Sequence, residues 1–181
     1  STDRLQITLP YGQEKVIEAL AEVAENLVVV NISGSAVAMP WADKVGAIVQ
    51  GWYGGTETGN ALADVLTGKV NPSGRLPFSV PFCYEDGPIE TERQYPGIKE
   101  EGDEYWQTHY DEGVYVGYRW YDTKEIPVQF PFGHGLSYTT FEYSNAKAAK
   151  PSMTAAGTLK VSVDVANTGD RDGAEIVQLY I

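Results

Sequence analysis

The stretch that most restricts this chain runs from Pro127 to Phe141, Pro-Val-Gln-Phe-Pro-Phe-Gly-His-Gly-Leu-Ser-Tyr-Thr-Thr-Phe. Pro127 and Pro131 fix φ and remove two backbone donors, so neither a regular helix nor a central strand can pass through it. Gly133 and Gly135 allow backbone shapes that a Cβ forbids. Aromatics fill the spaces between them. Such a segment is a shaped loop held by packing. It divides a region with an α/β pattern from one with a β pattern, and so is expected to be the joint between two domains.

Upstream of the joint, Val16, Ile17, Leu20, Val23, Ala24 and Leu27 recur at three- and four-residue spacing. They predict a helix from about Tyr11 to Glu25 with glutamates on its outer face. Leu27–Ile32 and Ala47–Trp52 are short apolar runs, as in parallel strands buried on both faces. Gly54-Gly55 then introduces a second helix over about Glu57 to Thr67, with Gly68 after it. Downstream of the joint, Leu159, Val161, Val163 and Val165 alternate with other residues in the period of a half-buried strand. A turn cluster at 167–173 leads to a further expected strand over Glu175–Ile181. The expected fold class is α/β, a layered α/β sandwich (its C-terminal part) followed by the first strands of an antiparallel β-sandwich. The domains are read as 1–82, a connecting segment 83–137, and 138–181. A β-sandwich of the immunoglobulin type takes about 100 residues, so the intact protein is expected to be larger.

The balance of charge excludes some partners. A formal net charge of −12 argues against nucleic acid and anionic membrane. No apolar run is long enough for a membrane-spanning helix. The single cysteine, Cys83, excludes an internal disulfide framework, and only two histidines, His109 and His134, speak against a metal cluster. No nucleophile elbow, phosphate loop or dinucleotide fingerprint is present.

Several blocks stand in order: Asp3-Arg4 before Leu9-Pro10, then Trp41, then Trp52-Tyr-Gly-Gly-Thr-Glu-Thr-Gly59. They continue with Ala61-Leu-Ala-Asp-Val-Leu66, Asn71-Pro-Ser-Gly-Arg-Leu-Pro77, Glu112-Gly-Val-Tyr-Val-Gly-Tyr-Arg119 and Phe130-Pro-Phe-Gly-His-Gly-Leu-Ser-Tyr138. The series resembles glycoside hydrolase family 3, the β-glucosidase and β-xylosidase family, over essentially the whole chain. The resemblance implies a TIM-like barrel, then an α/β sandwich, then a fibronectin-III-like domain. It implies an exo-acting retaining β-glycosidase, of the β-glucosidase kind, acting on β-linked oligosaccharides or glycosides, with no cofactor and no metal. Its partner would be the barrel of the same protein. Self-association and location are left open, with secretion or the periplasm favoured. The competing reading is a carbohydrate-binding or structural fragment without catalysis.

In that family two carboxylates do the chemistry. The nucleophile, an aspartate, belongs to the barrel. The acid/base glutamate would fall just before Ser1, so no catalytic residue is expected within this chain. Asp3 and Arg4 would then shape the acid/base loop, and Trp41 becomes a candidate for a position beside the substrate, with core packing as its other reading. Trp52 carries the same pair of readings, and Trp106 and Trp120 are less defined. Glu57 is expected to satisfy a helix N-terminus. Arg119 is expected to pair with Asp111 or Glu112, His134 to make a loop hydrogen bond, and Cys83 to be an unactivated thiol.

Overall fold

The computed structural model describes residues 6–181, and its elements mix helices with two small sheets. By internal contacts the chain forms two compact units. One comprises the chain up to Gly59 together with Leu76–His134, and the other comprises Asn60–Arg75 with Gly135–Ile181.

The first unit opens with helix α1, Gln13–Ala21. It is shorter than its apolar periodicity suggests, because a tightened turn (Val23 N to Leu20 O, 3.1 Å) closes it early. Ile17 points into the core, while Val16, Leu20 and Val23 of the same stripe remain exposed. Strands β1 (Val28–Asn31) and β2 (Ala47–Gln50) pair in parallel, Val28 opposite Ala47 through Asn31 opposite Gln50. Both are β-branched or apolar runs placed where the sequence predicts them. Between them the chain turns inward. Val37, Met39 and Trp41 are the buried centre, packed by Leu9, Ile17, Val29, Ala42, Val45, Ile48 and Phe130.

Helix α2 covers Thr58–Leu66 and leads into the second unit. Back in the first unit, residues 76–80 zip against 130–134. Leu76 N donates to His134 O (2.8 Å), Val80 N to Phe130 O (2.7 Å), and Gly133 N to Leu76 O (2.8 Å). The N-terminal half of the proline-rich segment is therefore held as an irregular antiparallel pair, and the division between the units falls between His134 and Gly135. No sequence pattern marks helix α3, Tyr118–Lys124. It has only seven residues, and its buried pair, Trp120 and Tyr121, is adjacent rather than spaced by a turn.

In the second unit, β3 (Phe141–Ala148) and β4 (Val161–Asn167) pair antiparallel, with an irregularity between Ser144 and Lys147. Asn71 organises the approach to β3. Its amide oxygen accepts from Ser137 Oγ (3.0 Å) and Tyr138 N (2.8 Å), and its nitrogen donates to Asp172 O (3.0 Å). A Cβ on Gly135 would collide with Gly74 O, so the backbones there approach as only glycine permits. Arg75 and Glu175 form an ion pair at 2.7 Å whose side chains are only 10% and 13% exposed. The strand expected over Glu175–Ile181 is absent: these residues form no ladder, because no strand among the described residues lies alongside to supply one. The expected turn is present, with Asn167 bonded to Arg171 O (2.7 Å) and Gly169 N (3.1 Å).

Candidate functional site

Asp3 and Arg4 lie outside the described residues. The segment that follows them is firmly anchored. Ala38 N donates to Ile7 O (2.8 Å), Leu9 N donates to the Glu14 carboxylate (3.2 Å), and Leu9 packs on the Val37–Met39–Trp41 centre. Trp41 itself has no exposed surface. Its ring is an interior packing element and offers no face on which a sugar could stack. Its indole N–H is buried with no hydrogen-bond partner among the described residues, an uncommon and costly state. What Trp41 does is fix the loop that holds Ile7. A residue not singled out in the sequence completes this anchor. Gln129 uses its amide as a strand would, accepting from Met39 N (2.9 Å) and donating to Met39 O (2.5 Å).

The carboxyl ends of β1 and β2 carry a polar cluster. Asn31 is 5% exposed and donates to the Gln50 side-chain oxygen (2.7 Å), while Gln50 donates to Ser33 Oγ (3.1 Å) and Ser33 O (3.3 Å). Open α/β sheets bind ligands at this end of their strands. Just past the cluster, Gly34 lies so close to Tyr53 that a Cβ would meet the ring at 2.6 Å. Gly34, Ser35 and Ala36 then form one wall of a cavity of about 430 Å³ that also borders Ile7.

The remaining candidates have structural surroundings. Trp52, at a left-handed φ of 52°, meets Phe78 edge-on with centroids 5.4 Å apart. Glu57 is exposed in the short turn Gly55–Glu57 that precedes α2. Trp120 is buried, donates its indole N–H to Asp86 O (3.0 Å) and lies beneath Lys124. Trp106, by contrast, is 62% exposed. Arg119 does not make the expected ion pair. It lies over the Tyr118 ring, and Asp111 is taken by Arg93 (3.3 Å), which also bonds His109 Nδ1 (3.0 Å). Glu112 accepts from Gln94 (3.0 Å) instead. The acidic connector is thus organised by Gln94, a buried amide whose oxygen takes Glu90 N and Thr91 N and whose nitrogen also reaches Pro88 O. A lone glutamine in a polar run has no pattern by which sequence could mark it. His134 is fixed by its backbone and faces Phe130 at 5.1 Å. The Cys83 thiol is held above its ordinary range, by desolvation first and then by hydrogen bonds with Glu85 and Asp86, so it is not an activated thiolate. Among the described residues no group of three or more His, Cys, Asp or Glu side chains could hold a metal ion, and no helix is long and apolar enough to cross a membrane.

An anchored N-terminal approach lies beside the open end of a parallel sheet, and comparison with known proteins gives the family. The model of the glycosyl hydrolase family 3 C-terminal domain matches residues 1–138. The chain belongs to glycosyl hydrolase family 3. Within the family it is 51% identical to the beta-glucosidase BoGH3A of Bacteroides ovatus over 183 residues, covering 99% of this chain and 23% of that protein. It is 48% identical to the thermostable beta-glucosidase B of Acetivibrio thermocellus, covering 99% of this chain and 23% of that protein. The fold is similar to that of DesR, a beta-glucosidase from Streptomyces venezuelae in complex with D-glucose. That match has a TM-score of 0.84 and 41% identity, over 94% of this chain and 21% of that one. Beta-glucosidase 3B of Thermotoga neapolitana in complex with glucose matches with a TM-score of 0.80 and 37% identity, over 96% of this chain and 24% of that one. The chain therefore spans between a fifth and a quarter of these family members.

Proposed function

We propose that this chain is the later α/β part of an exo-acting retaining β-glucosidase that removes terminal β-linked glucose from oligosaccharides or glycosides. One observation carries the reading: about half the residues are identical, across nearly the full chain, to proteins named as beta-glucosidases. The finer architecture belongs to the same proposal. Residues 1–82 belong to a layered α/β sandwich, 83–137 connect, and 138–181 begin a fibronectin-III-like domain. A TIM-like barrel is the partner within the protein. The exposed Val16 and Leu20 of α1, with Val23 just beyond it, offer apolar surface that the rest of such a protein can cover.

Retention requires two carboxylates about 5–5.5 Å apart across the scissile bond. One attacks the anomeric carbon and the other protonates the departing oxygen, then deprotonates the water that releases the sugar. In this reading the nucleophile comes from the barrel, and the acid/base glutamate stands immediately before Ser1. Asp3 and Arg4 shape its loop. The part played by the described residues is positional. Errors of about 1 Å in a catalytic group can cost a hundredfold in rate. Packing around Trp41, the Ile7–Ala38 bond and the Gln129 clasp on Met39 limit such errors where the loop joins the fold.

The test compares the full-length protein with this 181-residue chain on 4-nitrophenyl β-D-glucoside. Turnover by the former and none by the latter is the expected result. No turnover by the full-length protein on any aryl β-glycoside would refute the proposal, and turnover by the chain alone would refute the assignment of both carboxylates outside it.

A further inference from the structure

The cavity beside Ile7 is an open, mostly apolar hollow. Its volume, about 430 Å³, lies in the range of small-molecule pockets. Phe78, Pro81, Tyr84 and Ile89 make most of its wall apolar. Tyr121 also lines it. This residue is only 7% exposed, and among the described residues its hydroxyl makes no hydrogen bond. The other hydroxyls are differently placed, since Ser79 Oγ already accepts from Phe132 N (3.2 Å), Tyr84 is 38% exposed, and Ser35 is exposed and already engaged. The Tyr121 hydroxyl itself keeps some accessible surface, so it can donate to or accept from an occupant. The same scarcity of polar groups constrains the occupant. A free sugar brings a hydroxyl on almost every carbon, and most would be stranded against this wall.

We propose that the cavity binds a small molecule with an aromatic or alicyclic body and a single hydroxyl, the body against Phe78, Pro81 and Ile89 and the hydroxyl bonded to Tyr121. Such a molecule has the chemistry of the alcohol set free when an aryl or alicyclic β-glucoside is hydrolysed. That connection rests on the glucosidase reading, whereas binding itself does not.

The probe pair is p-cresol and toluene, which differ by one hydroxyl, with glucose as a control. Affinities for the full-length protein are measured by ligand-observed NMR titration. One hydrogen bond is worth about 0.5–1.5 kcal/mol, so p-cresol binds about two- to twelvefold more tightly than toluene, and glucose does not compete. Tyr121→Phe removes that advantage and leaves toluene binding unchanged. Ala36→Leu, which adds bulk at another residue of the cavity lining, abolishes binding of both while Tyr121 stays in place. Magnetisation transfer from the Tyr121 ring to bound p-cresol locates the ligand in the unsubstituted protein, independently of how either variant folds. Equal affinities for p-cresol and toluene overturn the proposal, as does binding of neither, the result expected if a segment of the protein itself fills the cavity. Binding that survives Ala36→Leu overturns it too. Cresol binding by a protein without glucosidase activity sinks the functional reading and leaves the site, and activity without cresol binding does the reverse.

Discussion

Replacing Asn71 by alanine tests what holds the second unit together. The side chain makes three hydrogen bonds, to Ser137 Oγ, Tyr138 N and Asp172 O, at 2.8 to 3.0 Å. Each contributes about 1 kcal/mol net, and Asn71 is only half-buried, so water recovers part of the loss. Asn71→Ala is therefore expected to cost about 2–3 kcal/mol in equilibrium urea unfolding, and Ser137→Ala about 1 kcal/mol. Because the two side chains share a bond, their effects must not add. The double variant should cost less than the sum by about 0.5–1.5 kcal/mol, while the Tyr138 and Asp172 bonds make the larger share of the Asn71 effect. Additivity within about 0.3 kcal/mol, or an Asn71→Ala cost below about 0.5 kcal/mol, would refute Asn71 as the organiser of this turn.

Three other outcomes follow from the same contacts. Glu175→Gln strands the nearly buried Arg75 charge and is expected to cost about 3 kcal/mol, whereas Arg75→Met with Glu175→Leu costs less than either single change, as thermal unfolding would show. Trp41→Phe keeps a ring in the core and removes an unpaired donor, so it should cost far less than the roughly 3–5 kcal/mol of Trp41→Ala, measured by urea unfolding. Burial, reinforced by the charges of Asp86 and Cys83, pushes the Tyr121 phenol above its ordinary value near 10. The unfolded chain then loses this proton first. The group's contribution to stability is complete below about pH 10 and declines as the pH rises above it, a decline that Tyr121→Phe should remove in unfolding curves.

β1, β2, β4 and the first two helices could be read from sequence because each carries an apolar run or stripe. β1 and β2 are continuous apolar runs, and α2 has its stripe at Ala61, Leu62, Val65 and Leu66. The eye is misled where periodicity and packing part company. The stripe of α1 continues past Ala21, yet the helix stops. β3 has no alternation because nearly all of it is exposed. Glu175–Ile181 alternates well and forms no ladder, since alternation records a face to bury and not a neighbour to pair with. The ordered blocks led to the family, but the residues that fix the candidate site are amides, Asn31, Gln50, Gln94 and Gln129. Their partners are backbone groups and other polar side chains brought close only by folding. Arg119 shows the same limit, since Arg93 reaches Asp111 from a turn that charge pattern alone does not bring near.

The central claim, that this chain serves a retaining β-glucosidase, is tested most directly by the anomer first released. Hydrolysis of 4-nitrophenyl β-D-glucoside by the full-length protein, followed by proton NMR from the first minutes, should show β-glucose appearing before mutarotation supplies the α form. Initial appearance of α-glucose would contradict the two-step mechanism, and with it the positions assigned to the two carboxylates.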